Sequence, residues 1–246
     1  MRSCRWWSVF SSAFAALALY TVQANAAVNI DRTRLIFSSS DAVQSLNLSN
    51  DSGTPMLIQA WTDKGDADSS PDSSSTPVVV VPPVFRMLPG ELRSLRLMLS
   101  SRHTLASDRE SLFWLNVYQI PPNTQAASGG ARKVILPLPL RLRLKVLIRP
   151  AGLAVPQESD EQQLRFTLNG NQLRIENPTP WFMSLTIHPG AQKAVGGLMV
   201  APKAWLDVPL SAPLTAGEKV VYDVITDSGN TRSYSVSPSN MKQGKG

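Results

Sequence analysis

Residues 134–150 read VILPLPLRLRLKVLIRP, and the alternation in this stretch decides the fold. Leu136, Leu138, Leu140, Leu142 and Leu144 fall on one side of an extended chain, and Pro137, Pro139, Arg141, Arg143 and Lys145 on the other. A period of two is the signature of a β-strand with one apolar face. Two prolines remove two backbone donors, which is tolerated at a sheet edge and not in its middle. The stretch therefore predicts a long edge strand carrying a row of leucines. Natural sheets avoid such edges because they recruit other chains, so keeping one points to pairing with another polypeptide; the alternative on the pattern alone is a buried hairpin strand.

Upstream, the same kind of reading gives short strands separated by turn residues. Ala27–Phe37, Gln44–Ser49, Pro55–Thr62, Val78–Val84, Leu92–Leu99 and Leu112–Ile120 carry alternating or β-branched and aromatic runs. Asn50-Asp51-Ser52-Gly53, Pro89-Gly90 and Pro121-Pro122 punctuate them. The polar stretch Asp63–Pro77, rich in Ser and Asp, reads as a mobile loop. About seven short strands before Pro150 fit an immunoglobulin-like sandwich, without the cysteine pair of an antibody domain. Downstream, Leu164–Leu168, Leu173–Glu176, Phe182–His188, Lys203–Leu206, Glu218–Ile225 and Arg232–Val236 predict a second, smaller sandwich. The Arg149-Pro150-Ala151-Gly152-Leu153 segment between them reads as a hinge. The expected class is all-β, with residues 27–148 and 149–240 as two domains and 241–246 as a flexible tail.

Composition agrees with a globular protein: 43% hydrophobic and 17% charged residues, with 19 prolines that disfavour long helices. Arg2 and Arg5 precede an apolar run from Trp6 to Val22, and Ala24-Asn25-Ala26 supplies small residues two apart. That is the pattern of a cleaved export signal over residues 1–26. No later stretch has the roughly 20 apolar residues of a membrane span. Cys4 is the only cysteine and would leave with the signal, so no disulfide and no thiolate metal site is expected. Losing Arg2 and Arg5 lowers the formal charge from +6 by two, to +4, too little to argue for nucleic acid.

Catalytic patterns are missing. His103 lies in a polar loop and His188 precedes a Pro-Gly turn, neither at metal-ligand spacing. No nucleophile elbow or phosphate loop occurs. Arg141, Arg143 and Lys145 form a basic stripe without aromatic interleaving in their own strand. Arg32, Arg34 and Lys145, on two strands that could be neighbours, could instead grip a carboxylate through charge-assisted hydrogen bonds.

Six pieces, in order, resemble the periplasmic chaperones of pilus (fimbrial) assembly: AVNIDRTR (27–34), Ala60-Trp61, PPVFRMLPG (82–90), DRESLFWLNVYQIPP (108–122), KVLIRP (145–150) and RIENPTP (174–180). The resemblance implies two immunoglobulin-like domains in an L or boomerang arrangement. It implies a non-enzymatic chaperone, without cofactor, that lends its last first-domain strand to an incomplete pilus subunit and delivers it to an outer-membrane usher. Main-chain pairing and alternating side chains carry such strand addition. On this resemblance Leu136, Leu138 and Leu140 would fill the subunit's groove, and Arg34 with Lys145 would hold its terminal carboxylate. Arg86, Glu110, Arg149 and Asp227 would form an interdomain charge network. The brief Pro121–Arg132 connection resembles the short-loop branch of the family, and Pro137 and Pro139 depart from its usual donor strand. The free edge could also pair with a second copy to give a self-capped homodimer. Two other classes compete on the residues alone: a structural or adhesive sandwich of a surface fibre, and an exported hydrolase.

Overall fold

A computed structural model of the chain describes residues 28–122, 138–215 and 217–240. The predicted signal segment, Leu136, Pro137, most of the Pro121–Arg132 connection and the 241–246 tail lie outside them. Among the described residues nearly all regular secondary structure is strand, arranged as two β-sandwiches.

The first sandwich runs β1 (Asn29–Ile30), β2 (Arg34–Phe37), β3 (Val43–Ser49), β4 (Met56–Asp63), β5 (Val78–Val81), β6 (Val84–Met87), β7 (Leu92–Leu99), β8 (Ser111–Ile120) and β9 (Leu140–Ile148). One sheet has the order β1-β3-β7-β5 and the other β2-β9-β8-β4-β6. Alternation buries Leu46, Leu48, Leu95 and Leu97 from the first sheet against Leu35, Phe37, Ile58, Leu115 and Val146 from the second. The second sandwich comprises β10 (Arg165–Asn169), β11 (Gln172–Asn177), β12 (Met183–Pro189), β13 (Val195–Val200), β14 (Ala204–Pro209), β15 (Val220–Ile225), β16 (Thr231–Val236) and β17 (Ser239–Asn240). Its sheets are β14-β11-β10-β17 and β13-β12-β15-β16, closed over Leu173, Ile175, Leu185, Ile187 and Val220.

Each sandwich fixes a turn with a buried asparagine. Asn50 Nδ2 donates to the carbonyls of Thr54, Met87 and Leu88, and Asn177 Nδ2 to those of Trp181, Val200 and Ala201. These carbonyls lie at or just beyond strand ends, where an amide side chain supplies donors from outside the ladder.

Three expectations change. The first strand is two: β1 pairs with β3, then the chain crosses at Asp31–Thr33 and β2 joins β9 in the opposite sheet. Pro82-Pro83 likewise divides the Val78–Val84 run, so that β5 and β6 belong to different sheets. Within the described residues the long strand begins at Leu140, so Leu138 and Pro139 lie just outside it. It is an edge only in part. Antiparallel β8 borders β9 throughout, but parallel β2 covers only Lys145–Ile148.

Candidate functional site

The half of β9 that β2 leaves uncovered, Leu140–Leu144, is the centre of the site. Its apolar row starts in the protein's own core and runs out of it. Val146 and Ile148 are buried, Leu144 is 5% exposed, Leu140 is 47% exposed and Leu138 is 72% exposed. Leu142 packs on the core from its edge. Alternation dictates this: the row shares one face, and the opposing sheet covers only its far end. A groove of about 420 Å³ lies beside this half-strand, between it and β1, walled chiefly by Val28, Ile30, Leu140, Leu142 and Leu144, with Arg32 and Arg143 also lining it. An extended segment entering it would meet the unpaired backbone of β9 and an apolar wall together.

At the closed end of that edge the parallel register sets Arg34 of β2 directly beside Lys145 of β9. Both point between the sandwiches. Arg34 Nη1 donates to the Ile225 carbonyl at 3.1 Å, and Lys145 Nζ donates to the Ser184 Oγ at 2.7 Å. Burial lowers the pKa of Arg34, with Asp227 and Glu110 pulling the other way, while its Nε is buried without a partner among the described residues. Burial and then the neighbouring Arg34 charge bring the Lys145 ammonium down to about 8. No carboxylate pairs with Lys145 among the described residues. Two partly desolvated cations side by side favour an anion at this spot, because a carboxylate would offset both penalties.

Behind the pair lies an acidic and basic cluster that ties the two sandwiches. Arg149 Nε donates to Glu110 Oε1 at 2.7 Å, and its Nη1 and Nη2 reach the two Asp227 oxygens at 2.7 and 2.8 Å. Glu110 also accepts from the Phe182 amide at 2.9 Å, while its own amide donates to the Pro180 carbonyl. Burial pushes the Glu110 carboxyl up, against the pull of Arg149. For Arg149, burial opposes the charge, but Asp227 and Glu110 outweigh it and raise its pKa.

Arg86 is not part of this cluster, which corrects the resemblance-based assignment. It stands on β6, at the edge of the sheet opposite β2, in register with Leu57. Buried Phe85 and Met87 flank it, so alternation turns it outward, where it borders a shallow groove with Pro55, Ile120 and Pro122. Arg34 is the cation that sits near Glu110 and Asp227 instead. Of the leucines, Leu138 and Leu140 are exposed, while Leu136 lies outside the described residues. His103 is an exposed loop residue. His188 faces Asp223 at 2.8 Å on the second sandwich, and Asp223 in turn accepts from Ser233. The serine meets the carboxylate and not the imidazole, so this is no nucleophile–base pair.

Sequence reasoning missed Ser184 and Ile225, because each reaches the site only through interdomain packing. It also took Asp63–Pro77 as a polar loop throughout, although two of its residues are held in the fold. Asp63 is 3% exposed and Ser69 is buried, and both are bound to the outward face of β8 and β9.

Comparison with known proteins places these features in context. Residues 27–154 match the family described as pili and flagellar-assembly chaperone, PapD N-terminal domain, and residues 159–236 match pili assembly chaperone PapD, C-terminal domain. The chain is 34% identical over 203 residues to the chaperone protein MrkB of Klebsiella pneumoniae, covering 81% of this chain and 86% of that protein. It is 32% identical over 208 residues to the chaperone protein FimC of Escherichia coli, covering 84% and 82%. Among solved structures it is similar to the Pseudomonas aeruginosa CupB2 chaperone, with a TM-score of 0.70, 30% identity and coverage of 85% and 100%. It is also similar to a chain of the Salmonella enterica SafA pilin–SafB chaperone complex, with a TM-score of 0.72, 27% identity and coverage of 85% and 95%.

Proposed function

We propose, from the premise that this chain belongs to the family of pilus-assembly chaperones, that it captures pilus subunits by lending them the free half of β9. The chain is a chaperone of pilus subunits; the donated strand, the residues that carry it and the downstream delivery are our reading. Leu138 and Leu140, with Leu136 ahead of them, enter the subunit's groove, while its backbone pairs with Leu140–Leu144. Each leucine moved from water into such a groove contributes about 1.5–3 kcal/mol. Arg34 and Lys145 grip the subunit's terminal carboxylate and so set the register in which the leucines meet their pockets. Arg149, Glu110 and Asp227 hold the second sandwich where Ser184 and Ile225 can border that grip.

The observation that carries the reading is the coincidence of three features along one strand. An unpaired half-edge, an exposed apolar row continuous with the core, and two uncompensated cations at the closed end lie within Leu138–Lys145. The export signal ending at Ala26 suits work in the periplasm, where the loaded subunit would pass to an outer-membrane usher.

Co-expression with a cognate subunit tests this. Arg34→Ala and Lys145→Ala are each expected to abolish recovery of the subunit while the chaperone stays folded. Normal co-purification of subunit with both variants would refute the carboxylate grip.

A further inference from the structure

The outward face of β9 is not the solvated basic stripe that its sequence suggests. Arg141 Nε donates to Asn116 Oδ1 at 2.9 Å, its Nη1 to the Ala67 carbonyl at 2.6 Å and its Nη2 to Ser69 Oγ at 3.0 Å. Arg143 Nη2 donates to Asp63 Oδ1 at 2.7 Å and to the Asp66 carbonyl at 3.2 Å. The two guanidinium groups also stack, Arg141 4.7 Å from the Trp61 ring and Arg143 5.0 Å from the Trp114 ring.

Behind them is a buried hub. Asp63 accepts from the Gly65 amide, from Ser69 Oγ at 3.0 Å and from Asn116 Nδ2 at 2.6 Å, as well as from Arg143. Burial opposes its charge, but the Asn116, Gly65 and Ser69 hydrogen bonds and the Arg143 charge hold its carboxyl below the usual range. The hub connects β4, β8 and the loop after Asp63 to the two arginines that flank Leu142. These are the same residues of β9 that lack a neighbour on their other edge. Every backbone hydrogen bond of that half-strand comes from one side, yet four of its five side chains are held: Leu142 and Leu144 from the core, Arg141 and Arg143 from the hub.

We propose that Asp63, acting through Arg143 and, with Asn116 and Ser69, through Arg141, is a latch that keeps the free half of β9 extended on β8 before a subunit arrives. Asp63 and Arg141 are thus positioning residues and do not contact the subunit's groove. A strand already in its bound conformation loses less freedom on binding, so the latch speeds capture. In the complex the subunit supplies the missing edge, and the latch becomes redundant for retention. The inference rests on the strand-donation reading above.

The test compares Asp63→Asn and Arg141→Met with the wild type. Arg141→Met keeps a long side chain but loses three hydrogen bonds and the guanidinium stack on Trp61 at a part-exposed site, so it serves if Asp63→Asn folds poorly. In the free protein, hydrogen exchange of those amides of residues 140–144 that bond β8 should quicken about tenfold, with the rest of the first sandwich unchanged. Association with a cognate subunit should slow about tenfold, with the complex lifetime unaltered. Unchanged exchange or association in Arg141→Met would overturn the latch. So would faster exchange spread evenly over the sandwich, or a shortened lifetime with a normal association rate. A wild-type protein that captures no subunit would refute strand donation alone, and the exchange comparison would still decide whether the latch exists.

Discussion

Replacing Arg149 by Met keeps a long aliphatic side chain and deletes only the guanidinium. Arg149 is 3% exposed, and so is its partner Glu110. Deletion leaves Glu110 with one donor, the Phe182 amide at 2.9 Å. Stranding a buried charge in this way costs about 3–5 kcal/mol. Asp227, whose side chain is 29% exposed, still meets water and the nearby Arg34 charge, and contributes only about 0–1 kcal/mol of the loss. The deficit therefore resides in Glu110, and pH tests that assignment. Burial already raises the folded carboxyl above its ordinary 4.5, and removing Arg149 raises it further. A raised acid destabilises the folded state fully above its folded value and not at all below the unfolded value. The variant should thus recover stability as pH falls from 7.5 to about 5, in contrast to the usual acid loss. Adding Glu110→Gln should restore a large part of the loss at pH 7.5, because no charge is then buried alone. Urea unfolding followed by tryptophan fluorescence measures all three proteins at both pH values. A loss below about 1 kcal/mol for Arg149→Met, or an undiminished loss at pH 5 with no gain from the second substitution, would refute the reasoning.

The other predictions concern binding and the turns. Carboxylate binding favours protonated Lys145, whose pKa of about 8 lies below the ordinary 10.5, so affinity for a subunit's C-terminal peptide should weaken as pH rises above about 8. Lys145→Arg should flatten that profile, as titration calorimetry at pH 7 and 9.5 would show. Leu140→Asp should leave the melting temperature unchanged, since the side chain is half exposed, while weakening subunit binding at least tenfold in a pull-down titration. Asn177→Leu should cost about 1–3 kcal/mol in urea unfolding, because it strips donors from the Trp181, Val200 and Ala201 carbonyls.

What the sequence shows of this fold depends on how local each determinant is. The alternation in Leu140–Ile148 is local, so the strand and its two faces are legible from residues alone. Where the strand stops being an edge is not, because that depends on how far the four residues of β2 reach alongside it. The crossing at Asp31–Thr33 is hidden for the same reason: β1 and β2 have one continuous pattern but two different sheets as partners. The strand β13 is absent from the sequence reading, because its Gly196-Gly197 carry no alternating side chains and lie where the pairing with β12 shifts register. At the site, Arg34 and Lys145 are suggested by charge on two strands, and their adjacency comes from a parallel register. Arg86 fails because a charged residue on an alternating strand can face either way out of the sandwich, and its strand lies at the far edge. Asp63 looks like the start of a polar loop, and only the fold reveals the arginines and Asn116 that surround it.

The central claim is that the open half of β9 becomes part of a bound subunit. Cys4 is the chain's only cysteine and lies in the segment assigned to the export signal, so an introduced cysteine would be a unique probe. The decisive measurement is disulfide cross-linking of Leu140→Cys to cysteines placed along the groove of a cognate subunit, with Leu92→Cys, 77% exposed on the other sheet, as the control. Strand donation predicts a single strong cross-link from position 140 at one groove position and none from position 92. Complex formation with no cross-link from position 140, or with equal yields from both positions, would contradict it.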